Sequence, residues 1–272
     1  MTDVRSPRRL STVVAAIAGL VSASALRAQS TKEGLDLFHQ MQAALGGAAR
    51  IAAIADFEQQ VRAVAINGNT GARMGEVTKR TRWMRPGVLR VDQVGPGSTY
   101  VLFFDGRAGW EILPGANEVS ALAGGELKFA QVYVRTFRLS AWLADRDPTW
   151  TISSPAPRVV RIADGDIADQ LDFTLDLASP LPSKTTNISL SDPAHPVPSE
   201  EAVDEWGAAG GVRIPRRWSV YRRGALVATA DVDATRVNGG LRRSDMEAKP
   251  ADLRPVVLSP EEIRRLAADG PK

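Results

Sequence analysis

The sequence predicts a mainly β protein of the α+β class, in which a curved antiparallel sheet forms an open half-barrel with helices on its concave face. Three observations lead to this prediction. Many short segments alternate apolar and polar residues with a period of two, and turn residues separate them at close spacing. A helical repeat interrupts them at Leu127–Leu143. No low-complexity linker and no internal repeat divides the chain, which favours one domain.

The first 28 residues have the pattern of a cleavable signal peptide. Arg5, Arg8 and Arg9 precede an apolar run, Leu10–Leu20. Small residues follow as Ala23-Ser24-Ala25, and Leu26-Arg27-Ala28 is a second possible cleavage point. The apolar run is too short and too rich in Ala, Ser and Gly to span about 30 Å of hydrocarbon. We therefore expect export to the periplasm, a mature chain of residues 29–272, and no transmembrane anchor after processing.

The charge and the cysteine content narrow the range of possible functions and binding sites. The chain has 34 Lys and Arg against 31 Asp and Glu, a net charge of +3, and it has no cysteine. Residues 1–28 contain four arginines and one acid, which is also net +3, so the rest of the chain is formally neutral. The basic isoelectric point therefore gives no support to nucleic-acid binding. Disulfides and thiolate metal sites are excluded.

The mature chain opens with two helices. Ser30-Thr31-Lys32-Glu33 has the form of a capping box, and Leu37, Met41 and Leu45 lie on one helical stripe. Gly46-Gly47 ends the first helix, and a short second helix is expected at Ala48–Ala55.

Strand patterns follow on both sides of the Leu127–Leu143 helix. In the segment with the clearest alternation, Leu171, Phe173, Leu175 and Leu177 face one side and Asp172, Thr174 and Asp176 the other. In the second predicted strand and the start of the third, Arg80, Arg82 and Arg90 are expected on a solvated face of the sheet. Ser259-Pro260-Glu261-Glu262 predicts a C-terminal helix. The remaining strands are predicted at Phe57–Ala65, Gly75–Met84, Val88–Val94, Thr99–Phe104, Gly109–Leu113, Arg158–Ile162, Thr185–Leu190, Ala202–Trp206, Val212–Arg222 and Ala225–Val237.

Catalytic and metal-binding patterns are scarce. The chain has two histidines, His39 in the first helix and His195 in a proline-bracketed loop beside Asp192. An Asp–His pair can orient an imidazole for base catalysis, but no Gly-x-Ser-x-Gly nucleophile motif accompanies it. Neither a His-Glu-x-x-His motif, a calcium loop nor a phosphate-binding glycine loop occurs. We therefore predict a non-enzymatic protein with no catalytic residue, no cofactor and no metal.

Large apolar residues are the most distinctive feature. Six tryptophans lie mostly on or beside predicted strands, and Tyr100–Phe104 is apolar on both faces. Such a strand is covered on both sides. One interpretation is an ordinary core under the Leu127–Leu143 helix. The other is an apolar pocket bounded by the curved sheet and that helix, with Phe137 and Trp142 in contact with the sheet.

Several short motifs, taken in order, resemble the periplasmic lipoprotein-carrier (LolA/LolB-like) superfamily, in the form called outer-membrane lipoprotein-sorting protein. The resemblance covers nearly the whole mature chain. The motifs are Ala44-Leu45-Gly46-Gly47 at the end of the first helix, Ile51–Phe57 leading into the first strand, Arg85–Asp92, Phe104–Pro114, Gly211–Pro215 and Val237-Asn238. The resemblance implies an open β-barrel capped by helices, whose apolar interior holds acyl chains. The lack of cysteine excludes the lipid-anchored receptor branch.

Together these features predict non-covalent binding or carriage of an acyl chain, from a lipid or a lipoprotein. The predicted lining residues, chosen for size and position, are Trp83, Leu89, Phe103, Trp110, Phe137, Trp142, Phe173 and Trp218. One alternative is an envelope protein-interaction or sensor module of the same fold, with a protein partner. Another is a secreted hydrolase using His195.

Overall fold

The computed structural model describes residues 29–96, 98–115, 118–164, 170–189 and 197–250. The predicted signal peptide, His195 and the predicted helix after Ser259 lie outside these residues. Thirteen strands form one antiparallel sheet. In chain order they are β1 (Asp56–Ile66), β2 (Arg73–Met84), β3 (Val88–Gly95), β4 (Ser98–Phe104), β5 (Gly109–Ile112), β6 (Ser120–Ala121), β7 (Thr151–Ala156), β8 (Val159–Ala163), β9 (Leu171–Leu175), β10 (Pro182–Ser189), β11 (Val197–Ala209), β12 (Val212–Arg222) and β13 (Ala225–Val237).

The helices are short and all but one lie on one face of this sheet. They are α1 (Lys32–Ala44), α2 (Ala48–Ala52), α3 (Gly124–Thr136), α4 (Arg138–Ala141) and α5 (Arg243–Glu247), with one 3-10 turn at Ala144–Arg146. We call residues 124–146, which comprise α3, α4 and the 3-10 turn, the helical crossing.

The order of the strands explains the half-barrel. It runs β6-β5-β4-β3-β2-β1-β13-β12-β11-β10-β9-β8-β7, so the first and last strands pair near the middle while β6 and β7 are the two edges. The sheet is therefore not closed, as the sequence predicts. The helical crossing connects β6 to β7 along the chain, so it must pass from one edge of the sheet to the other.

The main core lies between the inner face of the sheet and the helices α1 to α4. Phe38 and Met41 of α1, its C-cap residue Leu45 and the nearby Ile51 of α2 are fully buried there. They share this core with alternate residues of the sheet, among which Trp83 is also fully buried. The first helix has a side-chain N-cap, but the predicted capping box of Ser30 and Glu33 is wrong by one residue. Thr31 is the N-cap, and its hydroxyl accepts a hydrogen bond from the Gly34 N–H at 3.1 Å, whereas the Ser30 hydroxyl accepts one from the Ile152 N–H at 2.9 Å.

The continuous helix predicted over Leu127–Leu143 is wrong in one respect, because the helix breaks at Phe137. This residue has an extended conformation, with φ −56° and ψ 132°, between α3 and α4. Its ring stacks on Trp83 at a centroid distance of 5.6 Å and meets Phe57 edge-on at 5.8 Å. The break lets the side chain reach the sheet, and burial of the ring offsets the lost helical hydrogen bonds.

A second, smaller core lies on the outer face, which the sequence analysis did not expect. Met246 of α5 packs there on a cluster that contains Val88, Val101, Phe103, Trp110 and Ile112. The helix α5 was not predicted.

The predicted solvated face around Arg82 and Arg90 is also wrong, since both side chains are buried. Arg82 and Arg90 share the Asp92 carboxylate at 2.5 and 2.9 Å. Arg90 also donates to the backbone carbonyls of Met246 and Ala248, at 3.0 and 2.5 Å. Charge pairing and carbonyl contacts replace most of the water that these guanidinium groups would otherwise need, although the buried Arg82 Nε atom has no hydrogen-bond partner among the described residues.

Candidate functional site

A cavity of about 310 Å³ lies between the inner face of the sheet and the helical crossing. This volume is at the lower end of the range of about 300–1,000 Å³ found for small-molecule sites. Most of its lining is apolar and comes from seven strands and the crossing. The apolar lining residues are Val61, Ala63, Phe137, Trp142, Leu171, Phe173, Pro182, Val203, Trp206, Pro215, Trp218, Val220, Ala228 and Ala230.

Four of the eight predicted lining residues meet at this cavity. They are Phe137 and Trp142 of the helical crossing, Phe173 of β9 and Trp218 of β12. Trp142 lies 6.5 Å from Trp206 of β11 between ring centroids, so the crossing contacts the far half of the sheet as well as the near half. Long-range folding alone brings these side chains together.

The other four predicted residues lie elsewhere. Trp83 and Leu89 face the same side of the sheet, but they are fully buried in the packed core, where Phe137 covers Trp83. Phe103 and Trp110 lie on the outer face, in the cluster under Met246. Both faces of β4 are apolar, so the sequence pattern cannot tell which residues point inward.

The cavity also has polar lining residues that the sequence analysis did not select. These are Gln59, Lys79, Thr81, Tyr133, Thr136, Arg138, Thr185, Asn187 and Glu201. Lys79 shares the inward face of β2 with Thr81 and Trp83, so the alternation of that strand could have identified it. No local signal marks Arg138, whose place depends on the helix break before it.

Two cations give the cavity its electrostatic character. The Lys79 ammonium donates to the Tyr133 hydroxyl at 3.0 Å. The Tyr133 oxygen raises the pKa of Lys79 more than burial lowers it. The Arg138 guanidinium lies 5.3 Å from the Trp218 ring centroid, and burial lowers its pKa. An arginine retains its charge despite such a decrease, so both groups are cationic at neutral pH.

His39, the catalytic candidate that lies within the described residues, does not line this cavity. His39 Nε2 lies 3.4 Å from an Asp145 carboxylate oxygen, and half of the His39 side chain is exposed. Within the described ranges, no three His, Cys, Asp or Glu side chains are grouped closely enough to hold a metal ion. In the same part of the chain, none of the helices is both long and apolar enough to cross a membrane.

The open half-barrel, with a helical segment crossing its concave face over a mainly apolar cavity, defines the structural class. Neither a protein-family model nor a curated protein matches the sequence. Solved structures match at the level of the fold. A DUF1329 family protein from Desulfovibrio piger has a TM-score of 0.53 and 13% identity, over 81% of this chain and 98% of that one.

Two further structures are named for the family that the sequence motifs resemble. A domain described as an outer membrane lipoprotein-sorting protein, from Vibrio parahaemolyticus, has a TM-score of 0.51 and 11% identity, over 79% of this chain and 96% of its own. A LolA superfamily protein from Nitrosomonas europaea has a TM-score of 0.50 and 12% identity, over 77% and 98%. The chain therefore has a LolA/LolB-like fold. Identities this low concern the fold alone.

Proposed function

We propose that this protein binds one acyl chain non-covalently in the cavity between the sheet and the helical crossing, and carries or presents it in the periplasm. One observation carries the proposal: the fold leaves a mainly apolar space where a domain of this kind would otherwise pack its core. Protein interiors are close-packed, and voids larger than a water molecule are few. A cavity lined by Trp142, Phe173 and Trp218 is therefore a candidate for occupation.

The size of the cavity and the energy of burial are consistent with a single chain. Burial of a methylene group contributes about 0.8 kcal/mol, so a chain of fourteen carbons would contribute roughly 10 kcal/mol before the entropy costs of binding. At about 310 Å³, the cavity fits one chain better than the several chains of a complete lipoprotein anchor. The cargo is thus either a single-chain lipid or one chain of a larger lipid.

The sequence of the first 28 residues supports the periplasmic part of the proposal. Residues 1–28 have the charge, apolar run and small residues of a signal peptide. We propose that they are removed, and that residues 29–272 form one half-barrel domain with a C-terminal helix. A protein sorted in this way would meet lipids and lipoproteins in transit, and two of the fold relatives are named for lipoprotein sorting or the LolA superfamily.

The alternative of a protein-interaction module has less support from the surface. Among the described residues, the large apolar side chains that are exposed are Met74, Leu113, Phe129 and Leu177. They lie on separate elements rather than in one patch. A partner-binding face of this fold would be expected to present a contiguous apolar area.

A dye-displacement experiment tests acyl-chain binding. Protein freed of lipid should bind an environment-sensitive apolar dye, and myristate should displace it. Ala228→Phe places a ring in the cavity, so it should lower dye and myristate affinity about tenfold or more, whereas Thr229→Phe, the next residue of β13 and on the other face, should not. If myristate fails to displace the dye and A228F binds it as well as the wild type does, the proposal is wrong.

A further inference from the structure

The cavity is not uniformly apolar, and its two cations have different origins in the fold. Lys79 comes from the middle of β2, whereas Arg138 is the first residue of α4 in the helical crossing. Arg138 lowers the pKa of Lys79, although less than Tyr133 raises it, so the two charges are within electrostatic reach of each other. Folding thus places two like charges in the lining of one mainly apolar cavity.

Among the described residues, no acidic side chain forms an ion pair with either cation at contact distance. Lys79 has the Tyr133 hydroxyl as its hydrogen-bond partner, at 3.0 Å. The Arg138 Nη1 atom is shielded from solvent and has no hydrogen-bond partner in the described part of the chain. Glu201 of β11 raises the pKa of both groups by electrostatic attraction, without forming an ion pair or a hydrogen bond with either, and Glu201 is itself exposed.

An enclosed guanidinium nitrogen without a partner is costly. A buried charge is normally paired or hydrogen-bonded, because the loss of hydration is otherwise uncompensated. The buried arginines Arg82 and Arg90 of the sheet are paired with the Asp92 carboxylate at 2.5 and 2.9 Å, although the Arg82 Nε atom also has no hydrogen-bond partner among the described residues. At Arg138 the missing partner is an acceptor that would have to enter the cavity.

We propose that the ligand of this cavity is an amphiphile with an anionic head, whose carboxylate or phosphate is bound by Lys79 and Arg138 while its chain lies on the apolar residues. This inference rests on the proposed function and adds the class of head group. A planar guanidinium can donate two parallel hydrogen bonds to a carboxylate or a phosphate, and an ammonium group adds a third donor. The low dielectric of the apolar wall strengthens both contacts.

Three ligands with the same chain separate the head from the tail. Myristate, monotetradecyl phosphate and 1-tetradecanol are titrated into lipid-free protein below their aggregation limits, with dye displacement as the measurement. We expect the two anionic ligands to bind about tenfold or more tightly than the alcohol, since a hydrogen bond to a charged group commonly contributes that much. The ratio of myristate to phosphate affinity distinguishes a fatty-acid ligand from a phosphorylated one.

Matched variants assign the effect to the two cations. K79Q and R138Q should each weaken myristate binding about tenfold and change the affinity for the alcohol less than twofold. K184Q and R217Q, which remove outward-facing cations of β10 and β12, should change neither. R138K, which retains the charge, should recover part of the affinity; this variant and a circular-dichroism melt separate a binding defect from misfolding.

The outcomes distinguish this inference from the proposed function. Equal affinity for all three ligands, unaffected by K79Q and R138Q, would overturn the anionic head and leave acyl-chain binding intact. Failure of every ligand to displace the dye would overturn both. Loss of myristate affinity in K184Q and R217Q as large as in the cavity variants would also overturn it, because the effect would then be one of overall charge.

Discussion

At the scale of single residues, Glu111 is an acid kept in an apolar surrounding. It lies on β5, 6% exposed, and its carboxylate accepts a hydrogen bond from the Tyr100 hydroxyl at 3.3 Å. Burial raises the pKa of Glu111, and the nearby Glu126 of α3 adds to the increase although the Tyr100 hydrogen bond opposes it. Ionisation of Glu111 therefore slightly destabilises the folded state.

The raised pKa of Glu111 predicts that the stability of the protein depends on pH. A raised pKa means that the folded state binds more protons than the unfolded state, so the free energy of unfolding falls as pH rises from the ordinary glutamate pKa of about 4.3 to the raised value. Glu111→Gln retains an acceptor for Tyr100 and removes the titration. Its free energy of unfolding in urea should exceed that of the wild type at pH 7.5, and the difference should shrink towards pH 4. Glu118→Gln, at an exposed site, controls for net charge; a pH-independent difference for E111Q would contradict the assignment.

Gly34 allows helix α1 to pack closely against strand β7. An added Cβ atom there would lie 2.5 Å from the Ser153 Cα atom of β7, so α1 rests on the sheet through this glycine. Gly34→Ala should lower the free energy of unfolding by about 1–3 kcal/mol, because the helix must move away from the strand.

For a matched glycine in another helix we expect the opposite effect on the free energy of unfolding. Gly125 in α3 has nothing within 4 Å of an added Cβ atom and is exposed. Gly125→Ala should raise the free energy of unfolding by roughly 0.5–1 kcal/mol through helix propensity alone. Equal effects of the two substitutions in urea unfolding would argue against the close approach of α1 and β7.

At the scale of elements, the helical crossing is the segment that covers the cavity. Phe137 holds it on β1 and β2, Tyr133 contacts Lys79, and Arg135 pairs with Asp164. Its other side is open to solvent, as Phe129 shows with 41% exposure. A helical segment held on a sheet by side-chain packing, without backbone hydrogen bonds to its neighbours, opens more readily than strands that are hydrogen-bonded on both sides.

We therefore predict that the crossing acts as a lid over the cavity. Its amide hydrogens should exchange faster than those of β1 and β13 in lipid-free protein, and more slowly once myristate is bound. Hydrogen–deuterium exchange with peptide resolution measures both. Exchange as slow as that of the central strands, with no change on adding myristate, would mean that the crossing is a fixed part of the core.

At the scale of the whole molecule, the path of the chain creates the cavity. The first and last strands, β1 and β13, pair at the centre of the sheet, from Phe57 opposite Val237 to Ala65 opposite Ala228. The two edge strands β6 and β7 are consecutive in sequence, and the helical crossing joins them. Because the crossing spans the open side of the half-barrel, the space beneath it is enclosed without the sheet closing on itself.

Local patterns in the sequence determine which segments are strands and which side chains share a face. Phe173 points the same way as Leu171 because side chains alternate along any strand, and both are buried as the alternation predicts. The same pattern fails at Leu177, which is 86% exposed, because Asp176 accepts hydrogen bonds from the Ala178 and Ser179 N–H groups and starts a turn.

Only the tertiary structure decides which apolar face is inside and which residues line the cavity. Phe103 and Trp110 are as large and apolar as Phe173 and Trp218, yet α5 covers the first pair on the outer face while the second pair lines the cavity. Likewise, Lys79 and Arg138 line the same cavity because the helix breaks at Phe137 and α4 then lies over the sheet. Alternation with a period of two assigns the side chains of a strand to two faces, but it does not show which face is on the inside of the sheet. Their burial depends on contacts between segments distant in sequence, which no local pattern contains.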